Sequence, residues 1–85
     1  MTMTERLANF ETAQETLGMM IAMRSKWIFD EKQKPFPDQN LIEKWENESF
    51  EFGIEDDVLS LYDEDGIERV ISTYGPIVRA EFDKI

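Results

Sequence analysis

Leu7, Phe10, Ala13, Leu17, Met20, Ile21, Arg24, Trp27 and Ile28 recur at steps of three and four residues. That is the period of one helix face. It predicts an α-helix over residues 4–32, with Thr4 as N-cap and Glu5 in the first turn, where the helix dipole favours an acid. The KQKPFPD segment ends the pattern, because Pro35 and Pro37 cannot continue a helix and push the residues before them to extended geometry.

Beyond the prolines, Asp38 reads as the cap of a second helix over residues 39–52, stopped by Gly53. Leu41, Ile42, Trp45, Ser49 and Phe52 share its inner face, and Glu43, Glu46 and Glu51 point away. A short third helix from Glu55 or Asp56 carries Val58, Leu61 and Tyr62. The DEDG at residues 63–66 is a turn signal. Ile67, Val70, Ile71, Tyr74, Ile77, Val78 and Phe82 then keep helical spacing, with Gly75-Pro76 expected to divide them into two short helices. The expected fold is a small all-α helical bundle: one long N-terminal helix and three or four shorter ones, in one domain over residues 1–85. The alternative is α+β, with residues 59–62 pairing across DEDG with residues 67–71 as a C-terminal hairpin.

With 85 residues and 10.0 kDa, the chain buries roughly two thirds of its unfolded surface. That makes one modest core and leaves little room for a deep cleft. It has no cysteine and no histidine. Thiolate catalysis, disulfides and zinc–thiolate sites are excluded, and the commonest general base is missing. No serine lies in a nucleophile motif and no Gly-rich phosphate loop is present, so a non-enzymatic protein without a cofactor is expected. The N-terminus has no basic region followed by an apolar run. A cytoplasmic protein is the default expectation.

The net charge is −10, the wrong sign for binding nucleic acid or an anionic membrane directly. The excess is local. Residues 1–37 hold five acids and five bases, whereas residues 38–68 hold twelve acids and one base, Lys44. An EF-hand register on DEDG, with Gly66 at the sixth position, leaves Leu61 and Ser72 where oxygen ligands are required. An acidic turn is the better reading, and no metal site is expected.

Two readings of the acidic segment stay open. One is a solvated outer face. The other is a docking surface for a basic protein, such as a nucleic-acid-binding protein or nuclease, including approximate mimicry of nucleic acid. Like-charge pairs at helical spacing, such as Glu43/Glu46 and Glu51/Glu55, each destabilise a helix by a few tenths of a kcal/mol, which draws attention to function. The candidate ion-pairing residues are Glu43, Glu46, Glu48, Glu51, Glu55, Asp56, Asp57, Asp63, Glu64 and Asp65. Trp45, Phe50 and Tyr62 are candidate anchors, because aromatic residues dominate hot spots. In size and charge the chain is similar to small acidic inhibitors of phages and mobile elements (antitoxins, immunity, anti-restriction and anti-CRISPR proteins), an analogy of composition alone.

The GMMIAM segment, residues 18–23, is apolar most of the way round. It reads either as a central core helix or as a self-association seam built on Met19, Met20, Met23 and Trp27, with a homodimer as its first form. In that second function class the chain is an oligomeric structural or assembly protein and its acids serve solubility.

Overall fold

A computed structural model describes residues 1–84, which form three helices: α1 (Met3–Lys32), α2 (Gln39–Val58) and α3 (Glu64–Phe82). The all-α expectation holds. The hairpin alternative fails, since no strand occurs among the described residues and residues 59–63 turn directly into α3.

The helices number three rather than four or five because two expected breaks do not break. Gly53 lies inside α2, where glycine disfavours a helix by about 1 kcal/mol against alanine. Contacts on both sides of it outweigh that. Phe52 meets the Tyr74 ring edge-on at 5.2 Å, and Glu55 pairs with Arg69 at 3.0 Å. The separate short helix expected from Glu55 or Asp56 is therefore the last turn of α2. Gly75-Pro76 likewise lies inside α3. The carbonyl that Pro76 deprives of a donor belongs to Ser72, an exposed residue, so water can satisfy it.

The first cap also differs from expectation. Thr2, not Thr4, caps α1: its hydroxyl oxygen accepts from the Glu5 backbone N–H at 3.1 Å. Thr2 and Glu5 have the spacing of a capping box, whereas three residues after Thr4 stands Leu7, which cannot reciprocate.

α2 returns antiparallel to α1. Its early residues Trp45 and Glu48 meet Trp27 and Arg24 near the end of α1, and Leu59 joins Ala13 and Leu17 in the core. α3 starts beside the first turns of α1, where Glu64 pairs with Arg6, and then runs in the direction of α1. Ala13, Leu17, Leu59, Ile67 and Val70 form the core, bordered by Phe10, Phe52, Ile71 and Tyr74.

The molecule is long and thin, 53 × 27 × 15 Å, with a radius of gyration of 14.9 Å. A compact chain of this length has about 12 Å. The accessible surface is 6004 Å², against roughly 5,200 Å² for a compact chain of this mass. With one central helix and a partner on each side, the outward faces of α2 and α3 have nothing to pack against.

Arg24 joins α1 to α2. Its side chain is 12% exposed and its Nε donates to Glu48 Oε1 at 3.0 Å. An Nη1 hydrogen goes to the Met20 carbonyl at 2.9 Å. The guanidinium lies 5.2 Å from the Trp27 ring centre and 4.7 Å from that of Phe52. A planar cation lies over rings while donating from its edge, and an ammonium does not do both.

Glu31 organises the proline loop. It is buried at the end of α1, and its two oxygens accept from Lys34 Nζ at 2.8 Å and from the Asp38 backbone N–H at 3.0 Å. The carboxylate thus ties the end of α1 to the cap of α2. The Lys34 hydrogen bond, and then that of Asp38, hold its pKa below the ordinary value of 4.5.

Arg24→Lys is expected to destabilise the fold by about 1–2 kcal/mol in urea unfolding followed by helical circular dichroism. A change within the ~0.5 kcal/mol of an ordinary surface substitution would show that the stacked geometry contributes nothing. Glu31→Gln is expected to be less stable than wild type at neutral pH. Because the folded pKa of Glu31 is depressed, its stabilisation is complete above 4.5 and is lost as pH falls through the lower folded value. The gap between the two proteins therefore narrows below 4.5, and a gap of constant width down to pH 3 would contradict this account.

Candidate docking interface

The twelve acids of residues 38–68 divide by what they touch. Asp38 caps α2, accepting from the Leu41 N–H at 3.1 Å. Asp63 caps α3, accepting from the Gly66 N–H at 2.9 Å. Glu48 pairs with Arg24, Glu55 with Arg69 and Glu64 with Arg6. Glu55 also has the Tyr74 hydroxyl 3.5 Å from Oε2. Burial first, and then the Glu55 charge, raise the Tyr74 pKa above its ordinary 10.0. Asp56 turns inward, with Oδ1 buried and unpartnered.

Glu43, Glu46, Glu51, Asp57, Asp65 and Glu68 remain. All six are exposed, and none has an ion-pair partner among the described residues. The first four lie on α2. The ten candidate acids are therefore not one surface. Glu48, Glu55, Asp63 and Glu64 serve the fold, Asp56 is turned inward, and Glu43, Glu46, Glu51, Asp57 and Asp65 face solvent.

The candidate anchors separate in the same way. Trp45 is half-buried, its ring 5.6 Å from that of Trp27. Tyr62 is exposed, with the Arg6 guanidinium 5.8 Å from its ring centre. Phe50 is 71% exposed and does not stand alone, because Ile54 is 47% and Val58 73% exposed. These three are spaced i, i+4, i+8 along one helix. Each step of four advances about 40° around the axis, so they form one row about 12 Å long. The opposite side of α2 carries Ile42, Trp45, Glu48, Phe52 and Glu55, which meet the rest of the fold. The row therefore faces outward. Helical geometry makes Glu46, four residues before Phe50, the N-terminal continuation of the row, with Asp57 on one flank and Glu51 and Glu43 on the other. Lys44, the one base of α2, is exposed and pairs with none of the four.

Ile54, Val58 and Glu68 were not among the candidates. The spacing of Phe50, Ile54 and Val58 is visible in the sequence, but an end to the helix at Gly53 removes Ile54 and Val58 from the face of Phe50.

The proposed self-association residues are divided too. Met20 and Met23 are buried in the fold, and Met19 and Trp27 are half-buried. A seam using all four needs the fold to open.

The DEDG segment is the start of a helix. Glu64 and Asp65 occupy the first turn of α3, where the dipole favours acids. The Asp63 carboxylate that caps the helix lies against Gly66, so a Cβ added there would make the carboxylate turn aside. Among the described residues, no three acidic side chains are grouped to hold a metal ion, and no helix is long and apolar enough to cross a membrane.

This contact between cap and glycine has a measurable consequence. Asp63→Ala is expected to lose about 1 kcal/mol. Gly66→Ala is expected to gain less in wild type, where the carboxylate must turn, than in Asp63→Ala, where alanine's propensity gain of up to about 1 kcal/mol appears in full. Additive effects in urea unfolding would show that the two positions are independent. Comparison with family models, with curated proteins and with solved structures gives no match for this chain.

Proposed function

We propose that the chain is a non-enzymatic binding protein that neutralises or regulates a basic macromolecular partner, docking through the outer face of α2. The observation that carries this reading is one face where Glu43, Glu46, Glu51 and Asp57 are exposed without internal partners around a row of exposed apolar side chains. A purely solvated face needs the carboxylates and gains nothing from Phe50, Ile54 and Val58 in water. A docking face uses both: charge to steer encounter and select the partner, apolar area to hold it.

Acids committed to the fold are no part of the proposed surface, so Glu48, Glu55, Asp63 and Glu64 are excluded from it. Charge density argues against close imitation of a duplex. Four carboxylates over fifteen residues of helix amount to about one per 5–6 Å, against one phosphate per about 1.7 Å in DNA. The proposed partner is therefore a protein with a basic surface, met in an inhibitor-like or regulatory role. A cytoplasmic setting fits a chain without cysteine.

The test is a fourfold reversal, Glu43→Lys, Glu46→Lys, Glu51→Lys and Asp57→Lys, which removes no internal ion pair. The wild-type and reversed proteins serve as paired baits at low and high salt, and the captured protein is then purified for direct titration. Its affinity is expected to fall roughly 100-fold on reversal. Equal affinity for both would end the proposal. The free wild-type protein is also expected to melt at a higher temperature as salt rises from low to moderate, because screening relieves repulsion among unpaired carboxylates. A falling melting temperature would mean that paired charges dominate instead.

A further inference from the structure

The apolar row on α2 is a ridge of defined geometry, and the geometry restricts what can cover it. Phe50, Ile54 and Val58 follow one i±4 line on a straight helical stretch. Rows of this kind are what helices interdigitate when they pack on one another. A row about 12 Å long offers two turns of contact, which suits one amphipathic helix presenting apolar residues three and four apart.

The surroundings of the row add the sign of the partner's charge. Carboxylates stand on both flanks, Asp57 on one and Glu51 and Glu43 on the other, and Glu46 closes the N-terminal end. A helix seated on the row has its own flanking positions opposite these acids. Lysine or arginine there forms ion pairs, and glutamate or aspartate there repels. A second copy of α2 supplies acids to acids, so charge opposes homodimerisation through this face. Nucleic acid supplies the wrong sign altogether.

We infer that the outer face of α2 receives a basic amphipathic α-helix of another protein, its apolar seam on Phe50, Ile54 and Val58 and its Lys or Arg residues against Glu46, Glu51 and Asp57. This rests on the docking reading above and deepens it by naming the element of the partner that is bound. It also assigns a role to Ile54 and Val58, which carry no charge and which the acidic character of the segment does not account for. The ridge supplies selectivity for a helix over any other basic polymer, and the acids supply the attraction.

Two synthetic eighteen-residue peptides of identical composition, lysine, arginine, leucine and alanine, provide the probe. In one the leucines form a single helical seam flanked by the bases. In the other they are distributed around the helix. Affinity for the full chain is measured by fluorescence anisotropy, with wild type, Ile54→Asn, Phe50→Ser and the fourfold charge reversal, and each variant is checked for its helical spectrum. Both substituted apolar residues are exposed, so folding is expected to survive. The seam peptide is expected to bind wild type about tenfold more tightly than its isomer. Ile54→Asn and Phe50→Ser are expected to remove that preference, while leaving the isomer's weaker, salt-sensitive binding unchanged. Equal affinity of wild type for both peptides, lost on charge reversal, would overturn the helix inference and leave the acidic docking face standing. Absence of binding by both peptides, or binding that charge reversal does not weaken, would overturn both. A wild-type dimer in sedimentation that Ile54→Asn dissociates would make a second copy the occupant and likewise overturn the inference.

Discussion

The three-helix arrangement depends on a half-buried cation that lies over two aromatic rings. Arg24 sits on the apolar face of α1, and without partners its burial there would be strongly unfavourable. Glu48 neutralises it, the Met20 carbonyl accepts a hydrogen, and the guanidinium lies over the rings of Trp27 and Phe52. Each contact comes from a residue with a second task. Trp27 meets Trp45 at a tilted angle, and Phe52 meets Tyr74 of α3 edge-on. The arginine therefore fixes the register of α2 on α1, and through Phe52 it bears on α3, in a molecule too thin to do this with a large core. The Glu31 tie acts at the far end of the same pair, where it sets how the chain re-enters α2 after the prolines.

This division of labour explains why an acidic segment coexists with a stable helix pair. Glu48, Glu55 and Glu64 each reach across to an arginine of another element, Arg24, Arg69 and Arg6. Asp38 and Asp63 hold helix starts. Acids turned toward the fold thus have partners or caps to serve, apart from Asp56 with its unpartnered oxygen. Those turned outward on α2 have none, and that is where Phe50, Ile54 and Val58 stand. The more exposed of these pairs, Glu55–Arg69 and Glu64–Arg6, contribute at most about 1 kcal/mol each.

Much of the fold was legible because helical periodicity is a local property. The apolar spacing from Leu7 to Ile28, the stop at Pro35 and the cap at Asp38 all follow from neighbouring residues. The errors occurred where a distant contact overrides a local preference. Gly53 reads as a stop, yet Phe52 and Glu55 are each held to α3 by residues 22 and 14 positions away, Tyr74 and Arg69. Gly75-Pro76 reads as a break, yet the deprived carbonyl faces water. The candidate site was legible as a region but not as a surface. Composition finds the acids of residues 38–68, but only the geometry separates Glu48, an internal partner, from Glu46 and Glu51 beside it.

The misread stop at Gly53 also hid the site. When α2 ends at residue 52, Phe50 is an isolated exposed aromatic and Val58 belongs to another element. When it continues to Val58, the same side chains become one ridge between carboxylates. The glycine itself is half-buried beside the inner face, with open space where a Cβ would stand. Nothing in its surroundings requires a glycine there. A helix that tolerates a weak residue at its middle is held by its neighbours, and α2 is held from one side only. Its outer side is free of internal duties, so exposing large apolar groups there adds nothing to the fold. Had the segment needed only solubility, lysine or glutamine at 50, 54 and 58 would have served it, and lysine would also have lowered the repulsion among Glu46, Glu51 and Asp57. Apolar residues at all three positions, on the face where the unpaired acids of α2 gather, are what the proposed docking partner would cover.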